Sequence, residues 1–251
     1  MTTGALIFAR NNEHVDYVAM ATWSAQNIKR HLGIPTHIVT DDADAGTNSR
    51  HFVDVGTVTW HNLNRMDAYK LSPWDRTLVL DADYVVASNQ LQSILDADQD
   101  FLAHRWAYDV TGCNNFQGLN WFGNNRMPMW WATVMMFRKS THAQLIFECM
   151  HMIRDNWTHY RQLYKNSTPG YRNDHALSIA LGMVNGHTLD HPDIPWALAS
   201  LTPEHKLTQQ DKDCYRVNFV DTHNKPRWIT LNQDFHAMGK QQLGAIVANP
   251  C

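Results

Sequence analysis

TLVLDADYVV, residues 77–86, is an apolar run of strand character that is broken by Asp81 and Asp83 and then turns apolar again. A strand covered on both faces reads as one continuous apolar segment. Carboxylates that enter as the run ends mark the point where the strand leaves the core. In open α/β sheets that point, at the carboxyl end of a strand, is where ligands dock. Two carboxylates at i and i+2 around a small alanine can be turned by a tight bend toward one hard cation, and Mg²⁺ or Mn²⁺ held by few carboxylates plus substrate phosphates suits such a pair. A pair of turn aspartates explains the same letters.

The segments on either side alternate between strand and helix. GALIFAR (4–10) is a short apolar strand, after which Val15, Val18, Ala19, Thr22, Ala25 and Ile28 recur at helical spacing up to a stop at Gly33. PTHIVTDD (35–42) and HFVDVGTVTW (51–60) predict two further strands, NRMDAYKL (64–71) a short helix and SPWDR (72–76) a turn. Beyond the opening stretch, QLQSILDAD (90–98) predicts a short helix, and DFLAHRW (100–106) and WWATVMMFR (130–138) predict strands around a loop rich in Asn, Gly and aromatics. Residues 141–164 predict one long helix with Leu145, Cys149, Ile153, Trp157, Tyr160 and Tyr164 on one face. NDHALSIALGMV (173–184) predicts a shorter helix capped by Asn173. After Gly186 the pattern weakens into Pro- and Asp-rich loops with brief strands at YRVNFVDT (215–222) and RWITL (227–231). The alternation predicts an α/β fold, a mostly parallel sheet flanked by helices in a single domain.

Composition narrows the function classes. At 251 residues with 44% apolar content the chain can bury a sizeable core. A net charge of -3 and the absence of a Lys/Arg block argue against a surface built for nonspecific nucleic-acid or membrane-surface binding. No segment approaches the ~20 continuous apolar residues of a bilayer span, and MTTGALIFARNN lacks the basic and apolar regions of a signal peptide, so the expectation is a cytoplasmic protein. Cys113, Cys149, Cys214 and Cys251 stand far apart with no C-x-x-C spacing, which indicates neither a zinc knuckle nor a redox pair.

Asp-Ala-Asp after an apolar strand, with NRMDAYKLSPWDR (64–76) before it and GALIFARNN (4–12) at the start, resembles the glycosyltransferases of the GT-A fold. The nearest pattern is the glycogenin-like group and its phage-encoded relatives. The likeness runs over roughly the first two thirds of the chain, with one further match at DFHAMGK (234–240). It implies a Rossmann-like GT-A domain over 1–251, with a nucleotide-sugar and metal half at 1–110 and an acceptor half at 111–251 that carries a C-terminal metal-binding histidine. By the resemblance, Asp81 and Asp83 hold a Mn²⁺ or Mg²⁺ that bridges the phosphates of a nucleotide-sugar, and His236 adds a third ligand. Such a cation stabilises the charge that gathers on a departing nucleoside diphosphate without a proton transfer. Lys240 reaches phosphate, although Gly239 and Lys240 are adjacent here where the glycogenin-like pattern spaces them and continues with Pro-Trp.

The same resemblance places the nucleobase over Ala9, Arg10, Asn11 and Asn12, and it sets Arg65 against the phosphates or the sugar with Lys70 as competitor. YRNDHALS (171–178) resembles the family's segment near the anomeric carbon and the acceptor hydroxyl, so Asp174 and His175 are the catalytic candidates; His175 stands where glycogenin-like enzymes often have Gln. A helix start explains these letters too, with Asn173 as cap and Asp174 complementing the dipole. Asp41 and Asp42 end a strand and equally fit a helix cap. Trp106, Tyr108, Trp121, Phe122, Trp130 and Trp131 crowd the Asn-rich loop, where aromatics stack on sugar rings or extruded bases. His187, Asp190, His191 and Asp193 read as a loop with turn aspartates.

The implied reaction is metal-dependent transfer of a sugar from a nucleotide-sugar, a UDP-sugar by resemblance, to a hydroxyl acceptor. The phage-encoded relatives suggest a 5-hydroxymethyl pyrimidine in phage DNA, which would place the protein in the host cytoplasm. FRKSTH (137–142), Arg161, Lys165, Arg172 and NKPRW (224–228) could then assemble a basic strip. A glycan or a protein side chain is the rival acceptor. A nucleotidyltransferase shares the sheet and the carboxylate-held metal but would usually add a Gly- and basic-rich phosphate loop that GALIFARNN lacks. A noncatalytic sugar- or DNA-binding module could keep the aromatics but has no need of Asp81, Asp83 and His236 around a cation.

Overall fold

A computed structural model describes residues 1–40, 50–52, 64–168, 170–188 and 191–250, with backbone alone at 50–52. Asp41, Asp42, most of the third strand expected at 51–60, Asp190 and Cys251 lie outside the described residues. In chain order the elements begin with β1 (Thr3–Phe8), α1 (Tyr17–Leu32), β2 (Thr36–Thr40), β3 (Arg50–Phe52), α2 (Ala68–Leu71), β4 (Arg76–Asp81), β5 (Tyr84–Val85) and α3 (Gln92–Leu95). They continue with β6 (Phe101–His104), β7 (Ala107–Asp109), β8 (Trp121–Phe122), β9 (Met127–Pro128), β10 (Trp131–Arg138), α4 (Thr141–Asp155), α5 (Trp157–Leu163) and α6 (Asn173–Val184). The last group is β11 (Leu198–Leu201), β12 (Lys206–Asp211), β13 (Cys214–Val220), β14 (Pro226–Leu231), β15 (Phe235–Ala237) and α7 (Lys240–Ala248).

The main sheet has the order β3-β2-β1-β4-β10-β6. Neighbours from β3 to β4 are parallel and β10 is antiparallel to both β4 and β6, so β10 alone runs against the rest. This is the mostly parallel α/β sheet that the sequence predicts. Leu78, Val79 and Leu80 are consecutive and fully buried, so both faces of β4 are covered, each side chain contributing about 1.5–3 kcal/mol of burial. From β1 the chain proceeds to β2 on one side and returns to β4 on the other. The order therefore reverses between β1 and β4, and the crevice beyond the ends of Phe8 and Asp81, which are paired in register, is the ligand position of such a fold.

Local chemistry fixes the helices that flank this crevice. Asp16 caps α1 by accepting from Ala19 N at 2.8 Å, and Gly33 ends it in the left-handed region at φ 69°. A second, four-stranded sheet of order β5-β15-β11-β7 follows the Asp81–Asp83 turn, and a single buried cluster runs from β1 to α7.

Three expectations are corrected. The long helix at 141–164 breaks at Asn156 into α4 and α5; the Asn156 side chain donates to Met152 O, drawing the backbone out of α geometry at φ -117°. The buried face of α4 is Ala143, Ile146, Phe147, Met150 and Ile153, while Leu145 is exposed, because the helix packs on α6 along that neighbouring stripe. Asn173 does not cap α6: Arg172 occupies the cap position without a side-chain bond and Asn173 is buried.

Gly4 tests the packing behind the site. A Cβ there would sit 2.2 Å from the Trp74 ring, so the indole occupies the space a side chain would need. Gly4→Ala is expected to destabilise the fold by about 1–3 kcal/mol in urea unfolding, and Gly4→Ala on a Trp74→Ala background to have little further effect. Equal losses on both backgrounds would show that the contact does not limit that position.

Candidate active site

The site is built where β4 ends. Asp81 is the last residue of β4, Ala82 and Asp83 form the turn, and β5 begins at Tyr84. β15 pairs antiparallel with β5, setting His236 opposite Tyr84, and Ala237 N donates to the Asp83 carbonyl at 2.9 Å. That pairing brings a residue from the far end of the chain onto the turn. Asp81, Asp83 and His236 each offer a ligand atom, and these atoms lie within 4.8 Å of one another. The three residues are buried, at 8%, 4% and 8% exposure. They stand where doubly wound sheets take their ligands, at the carboxyl ends of strands that flank a reversal of strand order.

Burial of two carboxylates so close together requires counter-charge. Arg65 pairs with Asp81; Lys240 Nζ lies 2.5 Å and His236 Nε2 3.4 Å from Asp83 Oδ2. Burial alone would raise the Asp83 carboxyl, but His236 and Lys240 together overcome it and hold the group well below the usual carboxylate range. Burial lowers the Arg65 guanidinium, while the carboxylates of Asp174 and Asp83 act the other way. A donor set of two carboxylates and one imidazole fits a divalent cation. The polar atoms left over fit it as well: His236 Nδ1 is buried with no hydrogen-bond partner, and Asp81 Oδ1 has its ion pair with Arg65 but no well-formed hydrogen bond.

These residues floor an open cavity of about 190 Å³ that is also lined by Phe8, Tyr17, Trp131, Thr133, Arg172 and Asp174. Asp174 enters from the first turn of α6. Its Oδ1 accepts from Ala132 N at 2.8 Å and its Oδ2 from Arg172 at 2.9 Å, so both oxygens are oriented toward fixed donors. Trp131 and Thr133 come from β10, the strand beside β4, and the Trp131 Nε1 is buried without a partner.

Of the residues singled out from sequence, Arg65, Asp81, Asp83, Asp174, His236 and Lys240 line one cavity. The remaining candidates lie elsewhere. His175 points into the core, its ring stacked at 5.3 Å on Phe122 and 6.1 Å on Trp157, with Nδ1 2.9 Å from Asn166 Nδ2. Asn11 Oδ1 accepts from Val18 N and Asn12 Oδ1 from His14 N and Val15 N, so these side chains shape the entry to α1. Ala9 is buried and donates its N–H to Val39 O at 2.9 Å. Ala9, Arg10 and Lys70 do not line the cavity.

Sequence reasoning missed Tyr17, Thr133 and Met238, grouped Trp131 with the aromatics around the Asn-rich loop and counted Arg172 in a basic strip. A signal existed for two of them: Tyr17 opens α1 straight after its cap Asp16, and Arg172 stands two residues before Asp174. His187 and His191 line a separate, smaller cavity near β9 and α6. Cys113, Cys149 and Cys214 are free thiols, and among the described residues no helix is long and apolar enough to cross a membrane.

No protein-family model and no curated protein matches the chain. Among solved structures it is similar to the galactosyltransferase LgtC in complex with donor and acceptor sugar analogs, at 15% identity and TM-score 0.47 over 72% of this chain and 70% of that one. It is also similar to mouse xyloside xylosyltransferase 1, at 14% identity and TM-score 0.48 over 80% and 88%. The glycosyltransferase GlyE of Streptococcus pneumoniae TIGR4 matches at 13% identity and TM-score 0.46 over 78% of this chain and 46% of its own.

Two outcomes test the construction of the site. Asp234 is buried and its Oδ1 accepts from Ala87 N, Ser88 N and Ser88 Oγ at 2.8–2.9 Å, which pins the start of β15 to the segment after β5. Asp234→Ala should cost about 2–3 kcal/mol in chemical denaturation by leaving buried donors unpaired; an unchanged midpoint would refute the pin. Burial holds His104, His175 and His191 near a pKa of about 4, opposed at His104 by a hydrogen bond to the Trp196 carbonyl. An unfolded chain with histidines near ~6.5 binds more protons than the fold between those values. Their stabilising contribution is thus complete above pH ~6.5 and is lost as pH falls toward 4. Histidine NMR should find three rings still neutral at pH 5.5, and titration of the His175 ring near 6.5 would contradict its burial.

Proposed function

We propose that the chain is a metal-dependent glycosyltransferase that moves a sugar from a nucleotide-sugar, a UDP-sugar by the sequence resemblance, to a hydroxyl acceptor. The observation that carries this is one cavity in which Asp81, Asp83 and His236 lie within ligand distance of one another beside Arg65, Arg172, Lys240 and Asp174. Its formal charges suit the two components. Three carboxylates (Asp81, Asp83, Asp174) and three cations (Arg65, Arg172, Lys240) cancel, so a divalent cation and the two ionised oxygens of a sugar diphosphate can enter together and leave the cavity neutral.

In this reading Asp81, Asp83 and His236 are the residues that would hold Mg²⁺ or Mn²⁺, which supplies charge neutralisation at the departing diphosphate. Arg65 and Lys240, released from Asp81 and Asp83, are placed to pair with phosphate oxygens. The bond from the anomeric carbon to the diphosphate oxygen breaks and its electron pair leaves with the nucleoside diphosphate. A bond forms from the anomeric carbon to the acceptor oxygen, whose proton passes to Asp174. Ala132 N and Arg172 keep that carboxylate oriented as it does so. Residues 1–110 are the donor and metal half and 111–251 the acceptor half, with His236 crossing back to the metal ligands.

A DNA acceptor draws no support from the basic residues. Arg138 pairs with Asp100 at the end of β10 that lies beside the start of β4, away from Asp81, while Arg227 pairs with Asp221 and Arg172 with Asp174. These charges are dispersed and locally neutralised, which favours a glycan or other hydroxyl acceptor over hydroxymethylated phage DNA.

Calorimetry of UDP with and without Mn²⁺ tests the donor site. Binding is expected with Mn²⁺ and should be lost in Asp83→Ala, whereas Asp174→Asn should retain UDP and lower turnover of the nucleotide-sugar by about 10²–10⁴-fold. Absence of metal-dependent binding of UDP and of the other nucleoside diphosphates would end the transferase reading.

A further inference from the structure

The three-stranded sheet β12-β13-β14 stands outside the main sheet and turns one face to solvent. Its register places Leu207, Val217 and Ile229 in one row and Tyr215 beside Leu231 in another. These residues form the inward face, and Tyr215 packs against Phe235 of β15 at 5.3 Å. Strand alternation then directs the intervening residues outward. One outward row is Lys206, Asn218 and Trp228, and the next is Thr208, Arg216 and Thr230. Burial follows the same alternation: Trp228 is 59% exposed, while Leu207, Tyr215, Val217 and Leu231 on the inward face are buried and Ile229 is half-buried.

A large exposed indole on a regular sheet is unusual, because burying such a ring is worth more than almost any other side chain. Here it is held in place. The Arg216 guanidinium lies 4.7 Å from the Trp228 ring centroid, and Arg216 Nε in turn donates to Asn218 Oδ1 at 3.1 Å. The ring is thus braced on a scaffold of hydrogen-bonded backbone, with little left to order when a ligand stacks on it. Around it stand hydroxyl and amide groups from Thr208, Thr230 and Asn218, able to exchange hydrogen bonds with vicinal hydroxyls. Lys206 and Arg216 add two positive charges, and no Asp or Glu stands in either row.

From this combination we infer that the outer face of β12-β13-β14 is a second binding surface, separate from the cavity, that takes an acidic glycan by stacking a sugar ring on Trp228. Flat ring, hydroxyl-matching neighbours and positive charge correspond to the ring face, hydroxyls and carboxylates of such a chain. A nucleic acid would also stack, but backbone binding grows with the number of phosphates neutralised. Two cations on a chain of net charge -3 supply little of that term. The surface does not depend on the donor reading, since none of its residues lines the cavity.

The test uses the full chain in EDTA without nucleotide, so that the cavity's metal ligands take no part. Hexagalacturonate, neutral cellohexaose and a thymidylate dodecamer are titrated separately and followed by the indole and amide shifts of ¹⁵N-labelled protein. Hexagalacturonate is expected to shift the Trp228 indole and to bind more tightly than cellohexaose. Trp228→Ala should weaken it about tenfold, the order expected for losing one stacked ring. Arg216→Gln should weaken it too and reduce its salt dependence. Trp228 is exposed, so an unchanged thermal midpoint for Trp228→Ala separates loss of binding from loss of fold. Absence of hexagalacturonate binding, binding that Trp228→Ala leaves intact, or tighter Trp228-dependent binding of the thymidylate would each overturn the proposal.

Discussion

Two carboxylates buried side by side at the end of a central strand are the constraint from which the site follows. Asp81 and Asp83 cannot stay ionised in a low-dielectric pocket without compensation, and removing one partner from such an arrangement leaves a buried charge uncompensated. Arg65 reaches them from the turn before α2, Lys240 from the first residue of α7, and His236 from β15. Elements far apart in the chain are thereby tied to one turn. The backbone reinforces the tie, since β15 pairs with β5 directly after that turn and Asp234 holds the same junction by accepting from Ala87 and Ser88.

Several strands and helices were legible because each has a local cause. A continuous apolar run such as residues 77–80 must be covered on both faces, and Gly33 can end a helix because it takes the left-handed conformation at no steric expense. Other elements were less legible for equally physical reasons. β15 is three residues long and β5 two, too short for any period to register; β5 exists by pairing with β15, which is itself held on its other side by β11. The break at Asn156 is hidden because the apolar residues on either side continue the helical spacing, and the packing of α4 on α6 is what selects which stripe is buried.

The candidate site divides along the same line. Asp81 and Asp83 announced themselves by interrupting a strand, and His236 came only from resemblance, because nothing in DFHAMGK says which strand it will pair with. Asp174 and His175 are the sharpest case. Successive residues on a helix point about 100° apart, so when α6 packs on β10 one of the two must face the cavity and the other the core. Asp174 meets Ala132 N and the cavity, whereas His175 goes between Phe122 and Trp157. Two adjacent polar letters carry no information about which is which; the stacking partners, supplied by β8 and α5, decide it.

Net charge misleads for a related reason. A value of -3 describes a nearly neutral molecule, yet the charges are sorted: opposite signs are matched within the cavity, while the two rows around Trp228 on the outer face of β12-β13-β14 carry Lys206 and Arg216 with no carboxylate among them. The matched set makes the cavity an exchanger. On the proposed reading, a cation that takes Asp81 and Asp83 weakens their pairing with Arg65 and Lys240, and those two side chains then become available to anions. A cation alone strands two positive side chains, and an anion alone strands two carboxylates. On the proposed reading, joint arrival of a divalent cation and a diphosphate keeps the charges matched where either by itself would not, so cooperation between the two would follow from buried charge matching at this turn.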